Sequence, residues 1–469
     1  MNDLELCYTP ARKLARLLRT RKLSATALVR AFIDRIERVN PKVNAIVTFL
    51  PEQALRQAKA LDRKGTFEGP LAGLPIAHKD IVPTKGVRTT FGSPIYADHI
   101  PAEDHVIVER IRAAGAIFMG KTNTPEFAVG AQTFNPVFGK TRNPYDLSKT
   151  SGGSSGGAAA AVASGLLPFA DGSDLGSSLR NPGSFCNVVG FRPTPGRVPN
   201  WPFPNIWDTL WSVGPIARTV EDTALLFSAM AGPDPRVPTS HAEPGKVFAR
   251  PLARDFRKVR VAWSRDLGAF PVDARVTRVL ESIRPVFKSL GCLVEEAEPN
   301  LAEAEEAFQV QRAIGFVEAF DDLLEAQRPL MKDTLVGNIE AGRGMDGSRI
   351  ARGNVLRSNV FHAMRQFLER YEFLLLPTVQ VPPFSVDLPY VTEIDGKKLG
   401  SYTEWMKSTY FITATSHPAI SVPAGFTDDG LPVGLQIVGR YRDDLGVLQL
   451  AHAFERATRF GERRPALAD

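Results

Sequence analysis

Two glycine- and serine-rich segments hold the residues best suited to chemistry in this chain. Lys149-Thr-Ser-Gly-Gly-Ser-Ser-Gly-Gly157 runs straight into an alanine-rich stretch at 158–163. A flexible linker would not lead directly into so strong a helix former, so the pattern predicts a tight turn feeding a helix N-terminus. There, unpaired N–H groups and the helix dipole suit an anion, or a serine alkoxide as it develops. Gly172-Ser-Asp-Leu-Gly-Ser-Ser178-Leu-Arg180 reads as a second such turn, after the apolar stretch 166–170. Its consecutive N–H groups can converge on one oxygen, as an oxyanion hole requires. Either segment alone is equally well read as a plain loop. The two together, with Lys79 just beyond an apolar strand at 74–77, point to a site that stabilises negative oxygen.

Two familiar motifs match in letters and fail in context. Gly115-Ala-Ile-Phe-Met-Gly120-Lys121-Thr122 fits the phosphate-loop pattern, which needs a strand before the first glycine and a helix after the lysine. Here a helix precedes Gly115, and 116–119 reads as a strand of apolar residues where exposed amides are needed. Gly153-Ser154-Ser155-Gly156-Gly157 fits the nucleophile elbow GxSxG, which needs a strand directly upstream. The upstream stretch 143–149 reads as turn-rich. His241, His362, His417 and His452 follow downstream, so composition alone does not forbid a histidine triad.

These segments must be held by a frame. The first forty residues read as two helices. The second is capped by Ser24, buries Leu28, Phe32, Ile36 and Val39, and stops at Asn40-Pro41. Strands at 45–49, 74–77 and 116–119 alternate with helices at 52–63 and 103–114. Helices at 219–230, 275–290, 301–327, 360–371 and 445–457 follow, with strands at 258–263, 293–296, 373–376, 419–422 and 433–438. Thr219 and Asp222 are spaced as a capping box. The alternation predicts one α/β domain over 1–469, with helices covering a largely parallel or mixed sheet and a helical subdomain near 240–370.

Composition narrows the function classes. With 469 residues, 43% hydrophobic and 23% charged, the chain is neither disordered nor coiled coil. Its 38 glycines and 36 prolines imply many tight turns. The 57 basic and 51 acidic residues are interspersed without a long basic run, so no nucleic-acid stripe is expected. Cys7, Cys186 and Cys292 make no disulfide framework and no CxxC pair, and the seven histidines contain no HExxH. No apolar run approaches ~18 residues, and 1–21 lacks the apolar segment of a secretory leader. The expectation is a cytoplasmic protein without metal, cofactor, nucleic acid or membrane partner.

A resemblance now becomes specific. Gly152–Gly157, Gly172–Arg180 and Phe185-Cys-Asn-Val-Val-Gly-Phe-Arg-Pro193 are similar to the amidase signature family. So, in order, are Gly73-Leu-Pro-Ile-Ala-His-Lys79-Asp80, Gly120-Lys-Thr-Asn-Thr-Pro-Glu126, Gly214-Pro-Ile-Ala-Arg-Thr-Val-Glu-Asp222 and Pro418-Ala-Ile-Ser-Val-Pro-Ala-Gly425. The resemblance implies a central mixed, twisted sheet covered by helices, with the signature core at about 60–235. It implies a Ser–cisSer–Lys triad, with Ser178 as nucleophile, Ser154 as bridging serine after a cis peptide, and Lys79 as base. Backbone N–H groups of Leu175, Gly176, Ser177 and Ser178 would form the oxyanion hole. Lysine is a poor base at its ordinary pKa of about 10.4, but burial disfavours the ammonium and corrects that. Asp174 and Arg180 bracket the turn and are expected to pair with each other.

The chain departs from the family pattern twice. Ser177 stands where a second glycine is common, and His78 stands where an apolar residue usually precedes the lysine. His78 is expected to be a satisfied structural histidine. Phe127, Ala128, Val129, Gly130 and Ala131 occupy the stretch that lines the family's acyl pocket, and all are apolar or small. Trp201 and Trp207, in a tryptophan-rich loop after the signature, read equally well as core packing or as an aromatic wall of the substrate channel. Together they favour a small-molecule substrate, a neutral hydrophobic or aryl amide, with esters and carbamates also chemically open. The rival within the family is the glutaminase subunit of a tRNA-dependent amidotransferase. Outside it stands a nucleotide-binding protein using Gly115–Thr122. A homodimer is allowed and not required.

Overall fold

The structure is a computed structural model and describes residues 2–467. Its frame is an eight-stranded mixed sheet with the order Leu293–Glu296, Arg260–Trp263, Phe373–Pro377, Pro432–Gly439, Ala419–Phe426, Val189–Arg192, Ser212–Ala217, Phe169–Asp174. The first three strands run parallel, and every later neighbour is antiparallel. Helix Ala274–Ser289 makes the crossover between the two parallel edge strands and buries Val276, Leu280, Ile283 and Phe287 at helical spacing. Pro432–Gly439, Ser212–Ala217 and Phe169–Asp174 are buried along their whole length, as strands covered on both faces must be. A smaller sheet sets Pro75–Lys79 parallel to Ile117–Thr122, with Ile46–Phe49 on the far side. Lys79 is the last residue of strand Pro75–Lys79. Among the described residues no helix is long and apolar enough to cross a membrane.

Several expectations change in the structure. The N-terminus holds three helices, Asp3–Tyr8, Ala11–Arg19 and Ala25–Val43. Pro41 does not stop the third, because it falls in the last turn and Asn44 closes the helix in the left-handed conformation. The Asn40 side chain then serves the backbone of Ala45 and Ile46. The helix expected at 360–371 begins at Gly347, after an Asp346 cap, and Asp333–Arg343 is a further helix. The segment 240–370 is therefore divided. It gives two strands to the main sheet, then helix Ala304–Gln327 with Asp333–Arg343 and Gly347–Arg370 packed against it.

No strand was expected at Phe169–Asp174, whose Gly172 and Ser173 fall in the segment read as a turn, or at the glycine-containing Val189–Arg192 and Ser212–Ala217. Those glycines instead admit backbone: a Cβ at Gly190 would lie 2.1 Å from Leu179 O, and one at Gly214 2.2 Å from Phe191 O. Upstream of Gly153 lies a short strand, Asp146–Thr150, where turns were expected, but it belongs to a two-stranded ribbon. The phosphate-loop look-alike is the buried strand Ile117–Thr122. Its Lys121 is fully buried and donates to Val82 O and Thr84 Oγ1, not to a ligand space.

Candidate active site

The Lys79 side chain is 0% exposed. Its Nζ donates to Ser154 Oγ at 2.7 Å, Ser155 Oγ at 3.1 Å and Ser173 Oγ at 3.1 Å. Among the described residues no carboxylate pairs with it. Burial pulls its pKa down to about 7, against the weaker opposing fields of Asp174 and Asp171. Ser155 and Ser173 were not expected as partners. Both lie within the motifs, but nothing in their spacing says that the two turns fold onto one amine.

Ser154 follows the cis peptide Gly153–Ser154 and precedes helix Gly156–Ala163. The approach is too close for a side chain, since a Cβ at Gly153 would lie 2.8 Å from the Gln132 carbonyl carbon. Thr133 fastens the turn, donating to Gly152 O and accepting from Gly156 N. Ser178 sits between strand Phe169–Asp174 and helix Arg180–Phe185, partly exposed. Its carbonyl accepts from Ser155 N at 3.2 Å, which ties the two serine turns together.

Between these elements the chain turns through Leu175–Ser178. Among the described residues, the N–H groups of Leu175, Gly176, Ser177 and Ser178 donate to no protein acceptor. Asp174 fixes this turn. It accepts from Leu179 N, Arg180 Nε and Arg180 Nη2 at 2.9–3.1 Å and pairs with Arg192 at 3.6 Å. Burial pushes Asp174 up, yet the Arg180 and Arg192 guanidiniums hold it below the usual carboxylate range. Arg180 also draws the Gly176 carbonyl away at 3.0 Å. The Ser177 hydroxyl is spent on Met406 Sδ at 3.3 Å.

His78 is 2% exposed, stacks on Phe118 and bonds Asp171 through Nδ1. The other Asp171 oxygen accepts from Lys79 N at 3.0 Å, so His78 and Asp171 brace the lysine's backbone. No sequence signal pointed to Asp171, which is 92 positions away.

Ser178 and the Leu175–Ser178 turn open onto a cavity of about 480 Å³. Phe127, Ala128, Val129, Gly130 and Ala131 all line it. Phe127 and Ala128 take left-handed backbone angles (φ 49° and 60°), a strained arrangement that presents this stretch to the cavity. Of the two readings of the tryptophan-rich loop, core or channel wall, the wall does not hold for Trp201 and Trp207, neither of which lines the cavity. Trp201 packs on the main core, and Trp207 is 66% exposed. Asn205 and Asp208 cap a reversal of the loop, turning Trp207 outward and bringing Trp211 and Phe203 to the cavity instead.

Comparison with known proteins agrees over nearly the whole length. The family model described as Amidase matches residues 27–448. An acylamidase of Rhodococcus erythropolis is 37% identical over 472 residues, covering 99% of each chain. A glutamyl-tRNA(Gln) amidotransferase subunit from Carboxydothermus hydrogenoformans is 35% identical over 505 residues, covering 99% of this chain and 100% of its own. The crystal structure of a bacterial aryl acylamidase of the amidase signature family superposes with a TM-score of 0.91 at 31% identity, covering 97% of each chain. By fold, family model and full-length likeness, the chain belongs to the amidase signature family of carbon–nitrogen hydrolases.

Proposed function

We propose that this amidase cleaves a small hydrophobic or aryl-containing amide through an acyl-enzyme on Ser178. The observation that carries the reading is a buried lysine amine, 2.7 Å from Ser154 Oγ, beside a cavity lined by Ser178 and four unengaged N–H groups. Neutral Lys79 takes a proton from Ser154 as Ser154 takes one from Ser178. Ser178 Oγ attacks the carbonyl carbon, and the N–H groups of Leu175, Gly176, Ser177 and Ser178 receive the oxyanion. The relay run in reverse protonates the departing nitrogen, and water attacks the acyl-enzyme by the same path. Lys79, Ser154 and Ser178 are the catalytic residues of this proposal; Asp174, Asp171 and His78 position them.

The substrate class rests on the wall. Phe127, Val129, Phe203, Trp211, Phe308 and Phe316 dominate the lining, so binding energy comes from apolar surface. Likeness to an acylamidase and an aryl acylamidase points the same way. The glutaminase reading, favoured by the amidotransferase relatives, needs an acid for the ammonium of glutamine. The two acids at the cavity, Asp208 and Glu318, already accept from Leu210 N, Trp211 N and the Asn205 side chain, and the rest of the wall is largely apolar. Steady-state assays of purified protein on anilides, primary aliphatic amides, carbamates and free glutamine test the proposal. Turnover of anilides well above glutamine is expected, and glutamine as the preferred substrate would overturn it.

A further inference from the structure

The cavity wall carries a buried guanidinium that has no ion-pair partner. Arg312, on helix Ala304–Gln327, is only 7% exposed and lines the cavity. Buried guanidiniums are normally paired. Arg180 and Arg192 share Asp174, Arg197 has Asp444, and Arg218 caps backbone carbonyls. Among the described residues Arg312 has no carboxylate within ion-pair distance. Its partners are neutral, the Asn338 side-chain oxygen and the Tyr402 hydroxyl. They leave most of its five N–H donors unspent. Phe316 and Tyr402 flank the guanidinium at 4.8 and 5.4 Å from their ring centroids, which holds its plane without neutralising it.

Its position relates it to the reacting centre. A Cβ at Gly176 would lie 3.1 Å from the Phe308 ring, so Phe308 abuts the Leu175–Ser178 turn. Arg312 lies one helical turn further, about 6 Å along the axis. Phe308 and Phe316, one helical turn to either side of Arg312, line the same cavity, where an aryl group would pack beside the guanidinium.

From this we infer that Arg312 is an anion-reading subsite, and that the preferred substrate is a hydrophobic amide bearing a carboxylate remote from the scissile bond. The inference rests on the hydrolase reading above and replaces the neutral substrate favoured by the sequence. A carboxylate meets the guanidinium's free N–H groups in a charge-assisted pair, while the amide carbonyl reaches Ser178. The carboxylate can sit on the amine or the acyl side of the amide.

The test compares acetanilide with 4-acetamidobenzoate, carboxylate on the amine side, and with 4-carboxybenzanilide, carboxylate on the acyl ring. In wild type at least one carboxylated amide should exceed its neutral parent, acetanilide or benzanilide, by about tenfold or more in kcat/KM. Arg312→Gln should bring that ratio close to one, chiefly through KM, and Arg312→Lys should keep part of it. Benzoate should also inhibit wild type competitively more strongly than benzamide, a measurement independent of whether a variant folds. Equal treatment of charged and neutral amides, or an Arg312→Gln loss of the same factor for both, would overturn the inference and leave the hydrolase reading standing. Absence of any amide turnover would overturn both.

Discussion

Ser178→Ala removes one oxygen from a part-exposed position between two buried elements, so it should abolish amide turnover with little effect on folding. A fluorophosphonate adduct, mapped by peptide mass, is expected on Ser178 in wild type and absent from the variant. An adduct on Ser155 would contradict the mechanism. Lys79 makes the sharper case. With burial drawing its pKa to about 7, the working neutral amine is lost as pH falls, so kcat/KM should drop tenfold per unit below about 7. Lys79→Ala should cost about 10⁴-fold or more in amide turnover. Esters should suffer less, because an alkoxide leaves with less help than an amine nitrogen. A folded Lys79→Ala protein with near-normal amide turnover would end the serine–serine–lysine proposal. At this scale Lys79, Ser154 and Ser178 were named through the resemblance to the amidase signature family, and the proposal keeps them as its catalytic residues. Asp171, Ser155 and Ser173 as partners of the lysine were not legible.

At the scale of elements, the nucleophile turn depends on one carboxylate. Asp174 ends strand Phe169–Asp174, precedes helix Arg180–Phe185, and answers two fully buried guanidiniums. Asp174→Asn leaves Arg180 and Arg192 buried without a counter-charge. Stability should fall by about 3–5 kcal/mol, read from urea unfolding. Turnover of the fraction that still folds should fall as well, because the Leu175–Ser178 amides lose their anchor. A variant as stable as wild type would show that the buried triad is not what holds the turn. The Asp174–Arg180 pair was predictable from proximity in sequence; Arg192, which completes it, comes from the neighbouring strand and was not.

At the scale of the molecule, the main sheet, the loops that follow the smaller one and helix Ala304–Gln327 wall the cavity onto which the Leu175–Ser178 turn opens. Among the described residues no group of histidines, cysteines and acids is placed to hold a metal ion. Exhaustive dialysis against EDTA should therefore leave amide turnover unchanged. Loss of activity restored by a divalent ion would require a site that this mechanism lacks.

What the sequence determined by itself was local. Helix starts at Ser24 and Thr219, the apolar face of Ala274–Ser289 and the turn into Gly156–Ala163 all depend on residues within a few positions of one another. Capping, periodicity and turn preference act over that range, so they can be read directly. What the tertiary structure decided was which groups meet and which are stripped of water. Lys79 reaches Ser154 across 75 positions, Gly-rich stretches become buried strands because other backbone needs the space, and Trp207 faces solvent while Trp211 meets the cavity. Arg312 lacks a counter-charge only because no acid from the described elements packed around it reaches the guanidinium. Desolvation and charge pairing are set by segments remote in the chain, so no window of sequence contains them.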